Sequence, residues 1–81
     1  GYRIQLSEMD VIIADKTNSW CKAVFYNEKL IIFTIADSEK ITTAILDYFP
    51  SYYKPTLIKT IPEIPLNING KLDVIYLKSI V

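Results

Sequence analysis

Eighty-one residues make one small domain, and a chain of that length hides only about 60–65% of the surface it exposes when unfolded. Nine basic residues balance nine acidic ones and the longest apolar run, LIIFTIA, is only strand length, so neither nucleic-acid binding nor a membrane span is expected. There is no histidine and a single cysteine, Cys21, which removes imidazole catalysis, His-based metal sites and an internal disulfide, and suits a reducing, cytoplasmic setting.

Half of the chain (51%) is apolar or aromatic, with fourteen isoleucines and six tyrosines. A core of this size does not readily bury so much, so an exposed apolar face that docks on something is expected. No secretory signal is expected. The sequence opens on Gly1 and not on methionine, as expected of a piece of a longer chain.

In chain order, GYRIQL (1–6) reads as an extended lead-in. Ser7 then offers a helix cap, with Glu8 and Asp10 in the first turn and Met9, Ile12 and Ile13 on one face, ending near Asp15. KTNS (16–19) is a polar turn. WCKAVFY (20–26) and KLIIFTIA (29–36) are strands joined across Asn27 and Glu28, a β-hairpin. Their alternation is imperfect, which predicts cover on both faces. DSEKITTAILDYF (37–49) is a helix capped by Asp37 or Ser38, with Ile41, Ala44, Ile45 and Tyr48 as its apolar stripe and Pro50 as its stop. PSYYKP (50–55) is an aromatic loop between prolines, carrying Tyr52 and Tyr53. TLIKTI (56–61) is a third strand, and PEIPLNING (62–70) is irregular. LDVIYLKSI (72–80) is a last helix with Leu72, Ile75 and Tyr76 on one face. The fold class is α+β: a small three-stranded sheet with a β-hairpin, flanked by about three helices.

NGKLD (69–73) holds one of only two glycines in the chain. Asn-Gly is the strongest short hairpin signal, and the plain reading is a tight turn followed by a solvated lysine. The segment that follows reads as a helix, however. Gly70 could equally let a loop turn tightly while Lys71 projects outward, with Asp73 starting the helix. Taken singly, PSYYKP is a linker and GYRIQLSE a helix lead-in with Arg3 in solvent.

Taken together and in order, three stretches point further. GYRIQLSEMD resembles a motif usually seen as GxRIELgEIE, FPSYYKP resembles LPxYMVP, and IPEIPLNINGKLD resembles lPlTxNGKvDR. These mark the C-terminal subdomain of the AMP-forming acyl- and aminoacyl-adenylating enzymes: acyl-CoA ligases, nonribosomal peptide adenylation domains and D-alanine–carrier protein ligases among them. The resemblance covers essentially the whole chain. Departures are Gln5, Ser7 and Asp10 in the first motif, Lys54 in the second, and Asn67, Ile68 and Val74 in the third; Asn67 and Ile68 stand where Thr and Pro are common. None removes the lysine.

The resemblance implies that residues 1–81 form a mobile lid on a large N-terminal ATP-binding domain that is absent from this chain. Such enzymes activate a carboxylic or amino acid with ATP to an acyl-adenylate, then pass the acyl group to the thiol of CoA or of a carrier protein's phosphopantetheine. Lys71 matches the lysine of the adenylation step, with Asn69 and Gly70 shaping its loop. Gly1 and Arg3 match the face used in thiol transfer, where the glycine lines the pantetheine tunnel and the arginine can meet cofactor phosphates. ATP and Mg²⁺ are expected on the missing domain, no metal site is expected here, and the 81 residues alone are not expected to catalyse. GYRI and NGK lean toward amino-acid activation with a carrier protein. The competing expectation is a free-standing, non-catalytic module that docks a carrier protein or another subunit; the plainest is an α+β domain whose motifs match by chance.

Overall fold

The computed structural model describes residues 6–50 and 54–81. In order they form α1 (Leu6–Thr17), β1 (Cys21–Tyr26), β2 (Lys29–Thr34), α2 (Ser38–Tyr48), β3 (Leu57–Thr60) and α3 (Val74–Ser79). The expected α+β class and all six elements are present.

Helix α1 already runs through Leu6, so Ser7 lies inside the helix and does not cap it. The helix also continues two residues past Asp15. It stops where Asn18 turns left-handed, with φ 54, and the Ser19 N–H returns to the Ala14 carbonyl at 3.2 Å. That bond satisfies a carbonyl the helix end would otherwise leave open. Met9 and Ile13, one full turn apart, are buried, whereas Ile12 lies off their line and is exposed.

Asn27 and Glu28 both have positive φ, 54 and 61, the mirror-image turn whose twist suits a two-residue hairpin. It sets Tyr26 opposite Lys29 and Cys21 opposite Thr34. Trp20, Ile35 and Ala36 fall outside the strands. Asp37 caps α2, its carboxylate accepting the Glu39 N–H at 3.2 Å. Ile41, Ala44 and Ile45 point inward as expected. Tyr48 is exposed instead, with the Lys16 ammonium 4.6 Å from its ring centroid. Pro50 follows the end of the helix.

Because α2 carries the chain back across the sheet, β3 joins β2 in parallel, Ile31 opposite Leu57, and the strand order is β1-β2-β3. Successive residues of a strand face opposite sides. On one face Met9, Ile13, Cys21, Ala23, Leu30, Ile32, Ile41 and Ile45 cluster under α1 and α2. On the other, Val24, Ile31, Phe33 and Ile61 gather with Leu77 of α3, and Trp20, Leu72 and Ile80 pack at their margin. The imperfect alternation of the hairpin thus does reflect a sheet covered on both faces. The buried Thr34 hydroxyl donates to the Trp20 carbonyl at 2.9 Å and accepts the Ala36 N–H at 3.0 Å, so it is not left unpaired.

Helix α3 departs most from expectation. It begins at Val74, and its inward residue is Leu77, while Ile75 is 83% exposed and Tyr76 49%. Leu72 belongs to a β-bridge and takes no part in the helical phase. Asp73 sets that phase by accepting the Tyr76 N–H at 3.0 Å.

Candidate functional site

The segment from Ile61 to Asp73 folds back on itself. Leu66 and Leu72 form an antiparallel bridge, and the Asp73 N–H donates to the Pro65 carbonyl at 3.0 Å. At the tip, the Asn67 N–H donates to the Lys71 carbonyl at 2.7 Å and the Gly70 N–H to the Asn67 carbonyl at 2.9 Å. Asn67 Oδ1 accepts two further N–H groups, from Asn69 at 2.9 Å and from Lys71 at 3.1 Å. This is a three-residue hairpin loop, residues 68–70, with its glycine in the left-handed region. The two readings of NGKLD therefore meet in one structure: a tight hairpin turn whose return strand is a single bridge long, followed at once by a capped helix.

Gly70 has φ +78, and a Cβ built there would meet nothing within 4 Å. The glycine is called for by the hand of the backbone and not by crowding. Lys71 is exposed, and its side chain follows directly on that turn. On its other side Leu72 packs at the margin of the Phe33 cluster and Asp73 caps α3. Backbone bonds thus hold Lys71 from both directions while its ammonium stays in solvent. Among the described residues the ion pair formed is Lys22–Asp10, so Lys71 has no carboxylate partner there. Nor do three His, Cys, Asp or Glu side chains meet at one point among them. A groove of about 630 Å³ opens elsewhere, between α1 and α2, lined by Lys16, Asp37, Lys40, Asp47 and Tyr48 among others.

Asp10 and Cys21, the other titratable pair held inside the fold, are arranged as an anchor. Asp10 Oδ1 accepts the Ala23 N–H at 2.5 Å, and Oδ2 lies 3.3 Å from the Lys22 ammonium. Helix α1 is thereby tied to β1, which is an edge strand. Burial pushes the Asp10 carboxyl above its ordinary range, and the Ala23 and Lys22 bonds pull against it. The Cys21 thiol contacts the Asp10 carbonyl at 3.5 Å and is pushed up to about 12, first by burial and then by the Asp10 charge. The nucleophilic form of cysteine is the thiolate, so this thiol is inert at neutral pH. Gly1, Arg3, Tyr52 and Tyr53 lie outside the described residues.

No family model matches the chain. Two curated proteins of Bacillus subtilis (strain 168) do. A dimodular nonribosomal peptide synthase is 31% identical over 83 positions, covering 90% of this chain and 4% of that protein. Surfactin synthase subunit 1 is 32% identical over 82 positions, covering 90% and 2%. In structure, Klebsiella oxytoca NpsA, solved with 3-hydroxyanthranilyl-AMSN, overlays 98% of this chain with a TM-score of 0.80 at 16% identity, using 18% of its own length. The chain belongs to the superfamily of AMP-forming adenylating enzymes. It spans only a small part of its relatives in that superfamily.

The turn brings together Lys71, Asn69 and Gly70, the residues that the motif resemblance singles out. The sequence reading names Asn67 only as a departure from that motif, whereas it accepts three consecutive N–H groups, those of Asn69, Gly70 and Lys71, through its side chain and its carbonyl. A signal existed: asparagine two residues before Asn-Gly is a residue type that bonds its own backbone two residues on. The Asp10 anchor was also missed, because its partner Ala23 lies thirteen residues away.

Proposed function

We propose that this chain is the mobile C-terminal lid of an AMP-forming ligase, and that Lys71 is the group it brings to the adenylation step. The observation that carries this reading is Lys71 itself: an exposed cation with no carboxylate partner among the described residues, fixed by its own backbone at the tip of a bonded turn. A charge meant for a substrate needs a fixed root and a free end.

In this reading a large N-terminal domain holds ATP, Mg²⁺ and the acid, and ATP supplies the phosphoryl group that activates the carboxylate. Two anions must then meet. The Lys71 ammonium sits between them, offsets their repulsion and stabilises charge on the phosphoryl oxygens. Its long stem and point charge suit a group that arrives and leaves with a lid. Gly1 and Arg3 serve the second half-reaction, in which the acyl group passes to the thiol of CoA or of a carrier protein. The likeness to two peptide synthases favours an amino acid and a carrier protein. The setting is cytoplasmic.

The test uses the full-length enzyme that contains this segment. Lys71→Ala lowers ATP–pyrophosphate exchange by about 10²–10³-fold and spares transfer from preformed adenylate. Equal loss of both steps, or of neither, would falsify the assignment.

A second reading draws on Ile68, 99% exposed beside Lys71, and Ile75, 83% exposed on α3. Apolar groups so placed also suit a free-standing module that docks a carrier protein or another subunit. The size of the native polypeptide separates the two: several times larger than 81 residues for a lid, about this size for a module.

A further inference from the structure

We infer that Asn67 is a positioning residue for Lys71, acting through the backbone of the turn. The inference rests on the reading of Lys71 given above and adds to it the group that sets where the lysine begins.

The argument starts from three amides. The N–H groups of Asn69, Gly70 and Lys71 point to the inside of the turn, and Asn67 accepts all of them. Its carbonyl takes the middle one, at 2.9 Å. Its carboxamide oxygen takes the outer two, at 2.9 and 3.1 Å. The Asn67 N–H closes the set by donating to the Lys71 carbonyl at 2.7 Å. The peptide groups on both sides of the Lys71 Cα are therefore referred to one residue. Without the carboxamide, the carbonyl of Asn67 would still bind Gly70, but the Lys71 amide would lose its acceptor.

Nothing else in the turn replaces that oxygen. Gly70 relaxes the backbone there, and its missing Cβ leaves open space, so packing does not hold the turn. Ile68 is in solvent and brings no packing either. The Lys71 stem has four carbons, so a small rotation at its root moves the ammonium far at its tip. A misplacement of about 1 Å at a reacting centre can cost 10²-fold in rate. Here the Gly70 bond and the Leu66–Leu72 bridge remain, so partial loosening and a smaller effect are expected.

The experiment compares Asn67→Ala and Asn67→Thr with Lys71→Ala in the full-length enzyme that contains this segment. Threonine offers an acceptor oxygen one bond nearer the backbone, which makes the same kind of turn bond more weakly; alanine offers none. Asn67→Ala is expected to lower kcat of ATP–pyrophosphate exchange about tenfold, leave KM for ATP within about twofold, and spare transfer from preformed adenylate. Asn67→Thr is expected to keep kcat within about threefold of the unaltered enzyme, since the lost acceptor is restored. Hydrogen exchange read by mass spectrometry over 66–73 is expected to quicken in Asn67→Ala alone. Unchanged exchange kinetics of these amides in Asn67→Ala overturns the clasp. If Lys71→Ala abolishes adenylation while Asn67→Ala does not lower it, the Asn67 role falls and the Lys71 reading stands. If the threonine variant loses as much as the alanine one, the acceptor is not what matters, and the proposal is overturned. Equal loss of both half-reactions is what a merely structural residue gives, and also overturns it. If Lys71→Ala leaves adenylation intact, the reading and the positioning role fall together.

Discussion

Strand β2 is covered on both faces and contributes five consecutive buried residues, Leu30 to Thr34, whereas in the turn from Leu66 to Leu72 Ile68 lies in solvent and one asparagine holds three amides. The first region is fixed mainly by burial, which is distributed over many partners, with the Thr34 hydroxyl as its one buried polar side chain. The second is fixed by local hydrogen bonds that involve hardly any core. The difference teaches that stability and the candidate chemistry occupy separate parts of an 81-residue chain. A change at one should leave the other largely intact.

Phe33→Ala is the strongest test of the buried region. Its side chain is fully buried, and its loss is expected to cost about 3–5 kcal/mol, a large part of what holds a domain of this kind together. Denaturant unfolding measures it, and a cost below about 1 kcal/mol would break the contrast with the turn. Lys71→Ala tests the other side. Unfolding stability should stay within about 0.5 kcal/mol while adenylation in the full-length enzyme collapses. A loss of stability comparable to that of Phe33→Ala would mean that the two regions are not separable.

Gly70→Ala sits between them in size. No atom obstructs the added methyl, so the cost is that of a left-handed backbone alone, about 1–2 kcal/mol. A thermal scan of the variant sharpens the comparison by weighing backbone hand without packing. The last effect, a pH dependence, belongs to Cys21; it is absent at neutral pH and shows only in alkali. Its folded pKa, about 12, lies above the ordinary 9.0, so the folded chain holds its thiol proton more tightly than the unfolded chain does. The resulting stabilisation is complete below pH 9 and is lost as pH rises from 9 towards about 12. Stability measured against Cys21→Ala should therefore decline across that window; a constant difference would show that Cys21 does not sense the core.

Much of this was legible in the residues. The hairpin follows from two β-rich runs separated by Asn27-Glu28, and α2 from a stripe with a cap before it and a proline after it. The errors cluster where local and tertiary signals compete. Leu72, Ile75 and Tyr76 have helical spacing as good as that of Leu77 and Ile80, and only the Asp73 cap and the contacts beneath Leu77 decide which set turns inward. Ser7 is a good capping residue that the helix simply passes. At the candidate site, Gly70 was visible because glycine is rare in this chain, and Lys71 because it follows that glycine in a stretch that resembles a known motif. Asn67 was not, since an asparagine's partners are set by a turn that has first to close. Asp10 was invisible as an anchor, because pairing a helix carboxylate with a strand amide requires knowing that the two elements touch.

The arrangement of the strands also orders the assembly of the chain. Strands β1 and β2 meet across two residues, so their pairing needs little loop closure and can form within about 1–10 μs. Strand β3 pairs with β2 only after the whole path from Thr34 to Leu57 has folded back through α2. Parallel pairings of this span carry the entropy of closure before they gain any contact. The hairpin is accordingly the natural nucleus, and the parallel strand the late arrival. Substitutions at Ala23 or Ile32 should slow folding, while those at Ile58 should chiefly hasten unfolding, a division that stopped-flow kinetics can read.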